Sequence, residues 1–184
     1  MTKWLFWLLG GVLLGGIVHL ATVLWLPRTA TQDAYSRLVP VTQVNTVTTL
    51  PEPSSDNPLL PYMDPAFATA VCRYDLAEGP LQLSLTVSQA YTSVSFYTRY
   101  GRAYYAINDR AAGRRVIELD LMTAQQHNEM PEEEDVTAAD RLIVESPTTT
   151  GIIVMKALAA EPGLMAMARD ALATGRCRPQ PPQS

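Results

Sequence analysis

Charged residues are scarce in this sequence. Asp, Glu, Lys and Arg make up 17% of its 184 residues, against ~25% in an average globular chain. The formal net charge is -4, and the densest basic group is Arg110, Arg114 and Arg115. That is no stripe able to neutralise a run of phosphates, so nucleic acid is excluded as a partner. Histidine and cysteine are scarcer still: His19, His127, Cys72 and Cys177 are all there are. These make no zinc set, and no metal or other cofactor is expected. No G-x-S-x-G elbow is present, and Ser88, Ser93 and Ser95 have only His127 as a base. The run Glu132-Glu133-Glu134-Asp135 lacks the spaced oxygens and turn glycine of a hard-cation loop and reads as a solvated segment. No catalytic residue is therefore predicted.

What the chain does have is one uninterrupted apolar run. Trp4 to Leu26, WLFWLLGGVLLGGIVHLATVLWL, contains no charged side chain. As a helix it extends ~34 Å at ~1.5 Å per residue, enough to cross a ~30 Å hydrocarbon core. Trp4 and Trp7 near one end and Trp25 near the other suit the two interfaces. Pro27 then ends the helix. A cleaved signal peptide has a core of ~7–15 residues and a small-x-small site. Cleavage after Ala30 or Ala34 would set Arg28 or Gln32 at the other small position. Residues 1–27 are thus expected to be a retained anchor. Lys3 favours a cytoplasmic amino terminus, while Arg28 and Arg37 pull the other way. We expect the soluble part outside the cytoplasm, partly because two cysteines suit that side. Within the run, Gly11, Gly15, His19 and Thr22 share one helix face. Two readings are open: a helix–helix interface, or the ordinary glycine content of membrane helices.

Residues 28–63 are rich in Thr, Pro and Ser; PEPSSDNPLLP carries four prolines. They read as an extended spacer with one strand near Val41–Thr48. Residues 64–177 read as a β-rich domain. Phe67–Leu76 is a strand, followed by the turn Ala77-Glu78-Gly79-Pro80. Leu81–Ser88 alternates throughout, with Leu81, Leu83, Leu85 and Val87 facing one way. Ser93–Tyr100 and Ala103–Asn108 form a hairpin about Gly101-Arg102, with Asp109 as a turn residue. Arg114–Leu121, Leu142–Glu145 and Gly151–Leu158 complete the strands. A helix follows Pro162, with Leu164, Met167, Ala168 and Leu172 at helical spacing and Gly175 as a left-handed cap. Residues 178–184 read as a disordered tail. The fold class is mainly β (α+β): a small antiparallel β-sandwich or open barrel with a C-terminal helix, preceded by one transmembrane helix.

Two further groups stand out. Cys72 and Cys177 are either a disulfide closing a long loop or two separate buried thiols; the disulfide is favoured in an oxidising compartment. Tyr97, Tyr104 and Tyr105 are dense on the hairpin. They either line a pocket for a small apolar ligand or are cross-strand and core residues.

Tyr74-Asp75-Leu76, a short gap, then Gly79-Pro80 and an apolar strand resemble the pattern of the domain of unknown function numbered 1254. The Tyr-rich hairpin Tyr97–Ile107 looks familial too. The resemblance is best for short, membrane-anchored bacterial members and runs from about Asp64 to Leu121. It implies a β-rich fold and a bacterial envelope setting, here the inner membrane with a periplasmic domain, and no established activity. Longer relatives carry a second domain, numbered 1214, and a polar Arg-Pro-Asn stretch. The leading expectation is a non-enzymatic protein that works with a separately encoded partner domain or a second copy. The alternatives are a ligand-binding module using the tyrosines, and an enzyme using Asp75, Asp109 or His127.

Overall fold

The computed structural model describes residues 2–29, 33–54, 59–130 and 142–180. Residues 1–33 and 34–184 form separate compact units. The first is a single helix, α1 (Thr2–Thr29). Residues 2–26 are exposed, and apart from Thr2, Lys3, His19 and Thr22 they are apolar or glycine. Thr2–Leu26 is long and apolar enough to cross a membrane.

The second unit holds two packed sheets. Its strands are β1 (Val47–Thr49), β2 (Phe67–Asp75), β3 (Leu81–Thr86), β4 (Thr92–Thr98), β5 (Ala103–Asn108), β6 (Val116–Thr123), β7 (Leu142–Ser146), β8 (Thr150–Leu158) and β9 (Arg176–Pro179). One sheet has the order β1-β2-β8-β4-β5, the other β7-β6-β3-β9. Among these strands the pairings are antiparallel except β6 with β7. Short helices α2 (Ala34–Leu38), α3 (Asp109–Ala112), α4 (Ala124–Asn128) and α5 (Met165–Ala173) fill the connections. The mainly β fold with a C-terminal helix is thus as the sequence predicts.

The alternation in β3 makes the inner face. Leu81, Leu83 and Leu85 are fully buried and meet Leu121, Leu119 and Ile117 of β6 across the ladder. Val94, Phe96, Ile153 and Met155 oppose them from the other sheet. Each such side chain contributes about 1.5–3 kcal/mol by leaving water. Cys72 of β2 and Cys177 of β9 lie in this core and are joined by a disulfide, Cα atoms 6.5 Å apart. The closed loop of 105 residues corresponds to about 4–5 kcal/mol of removed chain entropy.

β2 shows no alternation because both its faces are covered. The inner face packs on the second sheet. The outer face lies under a strap built from the segment read as spacer. Leu38 of α2 and Leu50 cluster with Val71 and Ile152, with Tyr35, Leu59, Leu60, Met63 and Tyr97 around them. β1 pairs with β2 from Val47↔Cys72 to Thr49↔Ala70. Asn45 Nδ2 donates to Asp75 O at 3.0 Å and its Oδ1 accepts from Asp75 N at 2.8 Å. Residues 34–50 are therefore part of the domain, not a free spacer. Apolar residues among the prolines and threonines seal the outer face of the sheet.

The C-terminal end differs as well. Arg178 and Pro179, read as tail, are the end of β9, which pairs with β3 from Ser84↔Arg176 to Leu81↔Pro179. Gly175 has no positive φ. A Cβ there would stand 2.9 Å from Leu172 O and 3.3 Å from Leu85 Cδ1 and Val47 Cγ1. Glycine is required for close approach, not for a left-handed cap. Asp109 opens α3 behind the N-cap Asn108, and its Oδ1 accepts from Thr92 N at 3.3 Å.

Candidate functional site

The strand register brings a hydroxyl cluster together between the sheets. Tyr74 of β2 is fully buried and opposite Gly151 of β8. A Cβ at Gly151 would overlap the Tyr74 ring and the Tyr97 carbonyl oxygen, so the phenol occupies the space that glycine leaves. Its hydroxyl lies 3.1 Å from Tyr104 Oη and 2.9 Å from Ser146 Oγ, and donates to Tyr97 O at 3.4 Å in one of its orientations. Ser146 Oγ donates to Thr148 O at 2.6 Å. These bonds tie β2 and β5 of one sheet to β7 of the other. Burial pushes the Tyr104 phenol well above its ordinary value near 10; the bond with Ser146 works against this and the contact with Tyr74 adds to it. The Tyr104 hydroxyl therefore stays protonated at ordinary pH, exchanging hydrogen bonds and not acting as a base.

The tyrosines of the hairpin are divided. Tyr104 and Tyr105 pack on Phe96 of the inner core, ring centroids 6.1 and 5.8 Å away. Tyr97 packs with the outer cluster under the strap. Tyr97 thus belongs to a different cluster from Tyr104 and Tyr105. A second aromatic group was invisible in sequence: the Tyr35 ring of α2 lies 5.3 Å from the Arg73 guanidinium and 4.2 Å from that of Arg99. Arg73 is 7% exposed. Its Nε donates to Thr42 Oγ1 at 2.6 Å and its Nη2 to Thr42 O at 2.8 Å. An arginine inside β2 is the sequence signal of this site, because a buried guanidinium demands partners.

Each of the three groups named as a catalytic alternative has a local partner. Asp75 Oδ1 accepts from Ala77 N at 2.9 Å in the turn after β2. Asp109 holds Thr92 N. His127 Nδ1 meets Glu145 Oε1 at 2.7 Å at the domain surface. Among the described residues no three His, Cys, Asp or Glu side chains gather as metal ligands; Glu132–Asp135 lies outside the described residues. On α1, Gly11 and Gly15 have no heavy atom within 4 Å of an added Cβ, and Thr22 Oγ1 donates to Val18 O at 2.8 Å. With His19 they share one open helix face by spacing.

The class is thus a two-sheet β domain, strapped on one face and stapled by a disulfide, on a chain with one span-length apolar helix. The family described as "Protein of unknown function (DUF1254)" matches residues 41–179, and the chain belongs to that family. The match includes the strap from Val41 onward and ends with β9. No curated protein matches. Among solved structures, the chain is similar to the VPA0106 protein from Vibrio parahaemolyticus at TM-score 0.57 and 13% identity, over 82% of this chain and 38% of that one. It is also similar to a putative uncharacterized protein from Burkholderia cenocepacia at TM-score 0.49 and 13% identity, over 74% of this chain and 35% of that one. The chain thus spans little more than a third of the length of these neighbours, and the first supports the fold alone.

Proposed function

We propose that this is a non-enzymatic, single-pass protein of a bacterial inner membrane whose β domain stands in the periplasm and acts by association. The observation that carries the reading is the disulfide Cys72–Cys177 on a chain that also carries a span-length helix. Disulfides persist where the compartment is oxidising, which favours a domain outside the cytoplasm. Association is supported by α1, whose face of Gly11, Gly15, His19 and Thr22 offers a second helix a close backbone approach. The occupant is a separately encoded partner or a second copy. The test is purification of the tagged full chain from bacterial membranes in mild detergent, with free thiols alkylated first. The expected product is a membrane-retained chain with both cysteines blocked to alkylation, eluting with a second polypeptide or a second copy. A lone monomer with two alkylated thiols would overturn the reading.

A further inference from the structure

The outer face of the four-stranded sheet carries charges that the fold leaves unused. Cys177 points into the core, where Cys72 holds it. Side chains alternate along a strand, so its neighbours Arg176 and Arg178 are fixed on the opposite, outer face, about 6.8 Å apart along β9. The register sets Arg176 beside Ser84 and Ser84 beside Glu118. Arg178 stands in the next row beside Gln82. Together these five residues line a cavity of about 280 Å³.

Arg176 and Glu118 lie two strand spacings apart, roughly 9.6 Å between backbones. Among the described residues neither side chain makes a hydrogen bond or an ion pair. Arg178 makes one long bond, Nη2 to Gln82 Oε1 at 3.4 Å. Asp120, in the row of Gln82, is buried, which leaves Glu118 as the accessible carboxylate. A direct exposed ion pair gains only ~0–1 kcal/mol, so little draws the two charges together across the small Ser84. A ligand carrying both signs engages both.

We infer that this face binds a small zwitterion, a phosphate bearing a primary ammonium group, with Arg176 and Arg178 on the phosphate and Glu118 on the ammonium. Two guanidiniums projecting from one face of one strand suit an anion with three acceptor oxygens better than a carboxylate with two. The volume falls just below the ~300 Å³ at which drug-sized pockets begin, which suits a compact headgroup. Ser84 and Gln82 line the floor between the charged ends. The site makes no use of α1 and is independent of the association proposed above.

The experiment is calorimetric titration of the full chain in uncharged glycoside detergent with O-phosphoethanolamine, and separately with inorganic phosphate. Phosphoethanolamine is expected to bind the more tightly. Glu118→Gln should weaken it about two- to fivefold, the range of an exposed charge pair, and leave phosphate unchanged. Arg176→Gln combined with Arg178→Gln should abolish both titrations, with the thermal transition retained because all three positions are exposed. Absence of binding, equal affinity for the two compounds, or indifference to these substitutions overturns the inference. The source follows from the chain in bilayer discs. Guanidinium NMR shifts with phosphatidylethanolamine, absent with phosphatidylglycerol, mark a lipid headgroup. Shifts only on adding the soluble compound mark a free one.

Discussion

Tyr74 shows how much one side chain can organise. It is fully buried, it fills the space beside Gly151, and its hydroxyl joins Tyr104 to Ser146. Gly151→Ala would force a methyl group onto a backbone oxygen that cannot rotate away. The expected loss is about 3 kcal/mol or more, the upper end for overpacking, measured by urea denaturation. Tyr104 gives a pH signature. Its folded-state pKa is raised above the unfolded value near 10, chiefly by burial. Below that value both states are protonated and the group has no effect. Above it only the unfolded chain ionises, so stability falls as pH rises, by about 1.4 kcal/mol per unit for this residue. Comparing denaturation midpoints at pH 9 and 11, Tyr104→Phe should show a shallower alkaline loss than the parent. Equal slopes would place Tyr104 in water.

At the scale of elements, the strap tests whether a Pro-rich stretch can be core. Leu38 is 1% exposed and packs with Leu50, Val71 and Ile152. Leu38→Ala should cost about 2–5 kcal/mol, as for a deleted core leucine; a change near zero by denaturation would return the segment to a spacer. The sequence makes plain those elements whose one face is wet. β3 alternates, and the outer face of β6 is wet at Val116 and Glu118, so the period is visible in Leu81, Leu83, Leu85 and in Ile117, Leu119, Leu121. The strap is not visible, because α2 and β1 are too short for a period and their partners lie elsewhere in the chain. β9 hides for the same reason: four residues with a proline at the end gain strand form only by pairing with β3. The hydroxyl cluster depends on the pairing of Tyr74 with Gly151, a relation that exists only once the register is set. The tyrosines were legible as aromatic residues on a hairpin, but not the split of Tyr97 from Tyr104 and Tyr105, because a bulge shifts the register between Phe96 and Tyr97.

At the scale of the whole chain, the two units differ in what they bury. The β domain buries its apolar residues in two clusters, while α1 exposes Trp4 to Leu26 on every side. In the proposed bilayer such a surface would have no hydrophobic drive to associate. Contact must come from close packing and from polar groups reaching across. That makes the proposed interface of Gly11, Gly15, His19 and Thr22 testable without harming the anchor. Replacing Gly11 and Gly15 with Leu keeps the helix apolar and adds bulk where nothing stands within 4 Å, so insertion and domain folding should be unchanged. If a second helix packs there, its backbone is pushed away, and association should weaken by about 1.4 kcal/mol or more, a tenfold change. The readout is the co-purified fraction from mild detergent at matched expression, with alkylation of Cys72 and Cys177 as the control for folding. Association that survives both leucines would move recognition from the membrane helix to the β domain. In that domain the β5 edge, Ala103–Asn108, carries neither charge nor proline to oppose pairing with another strand.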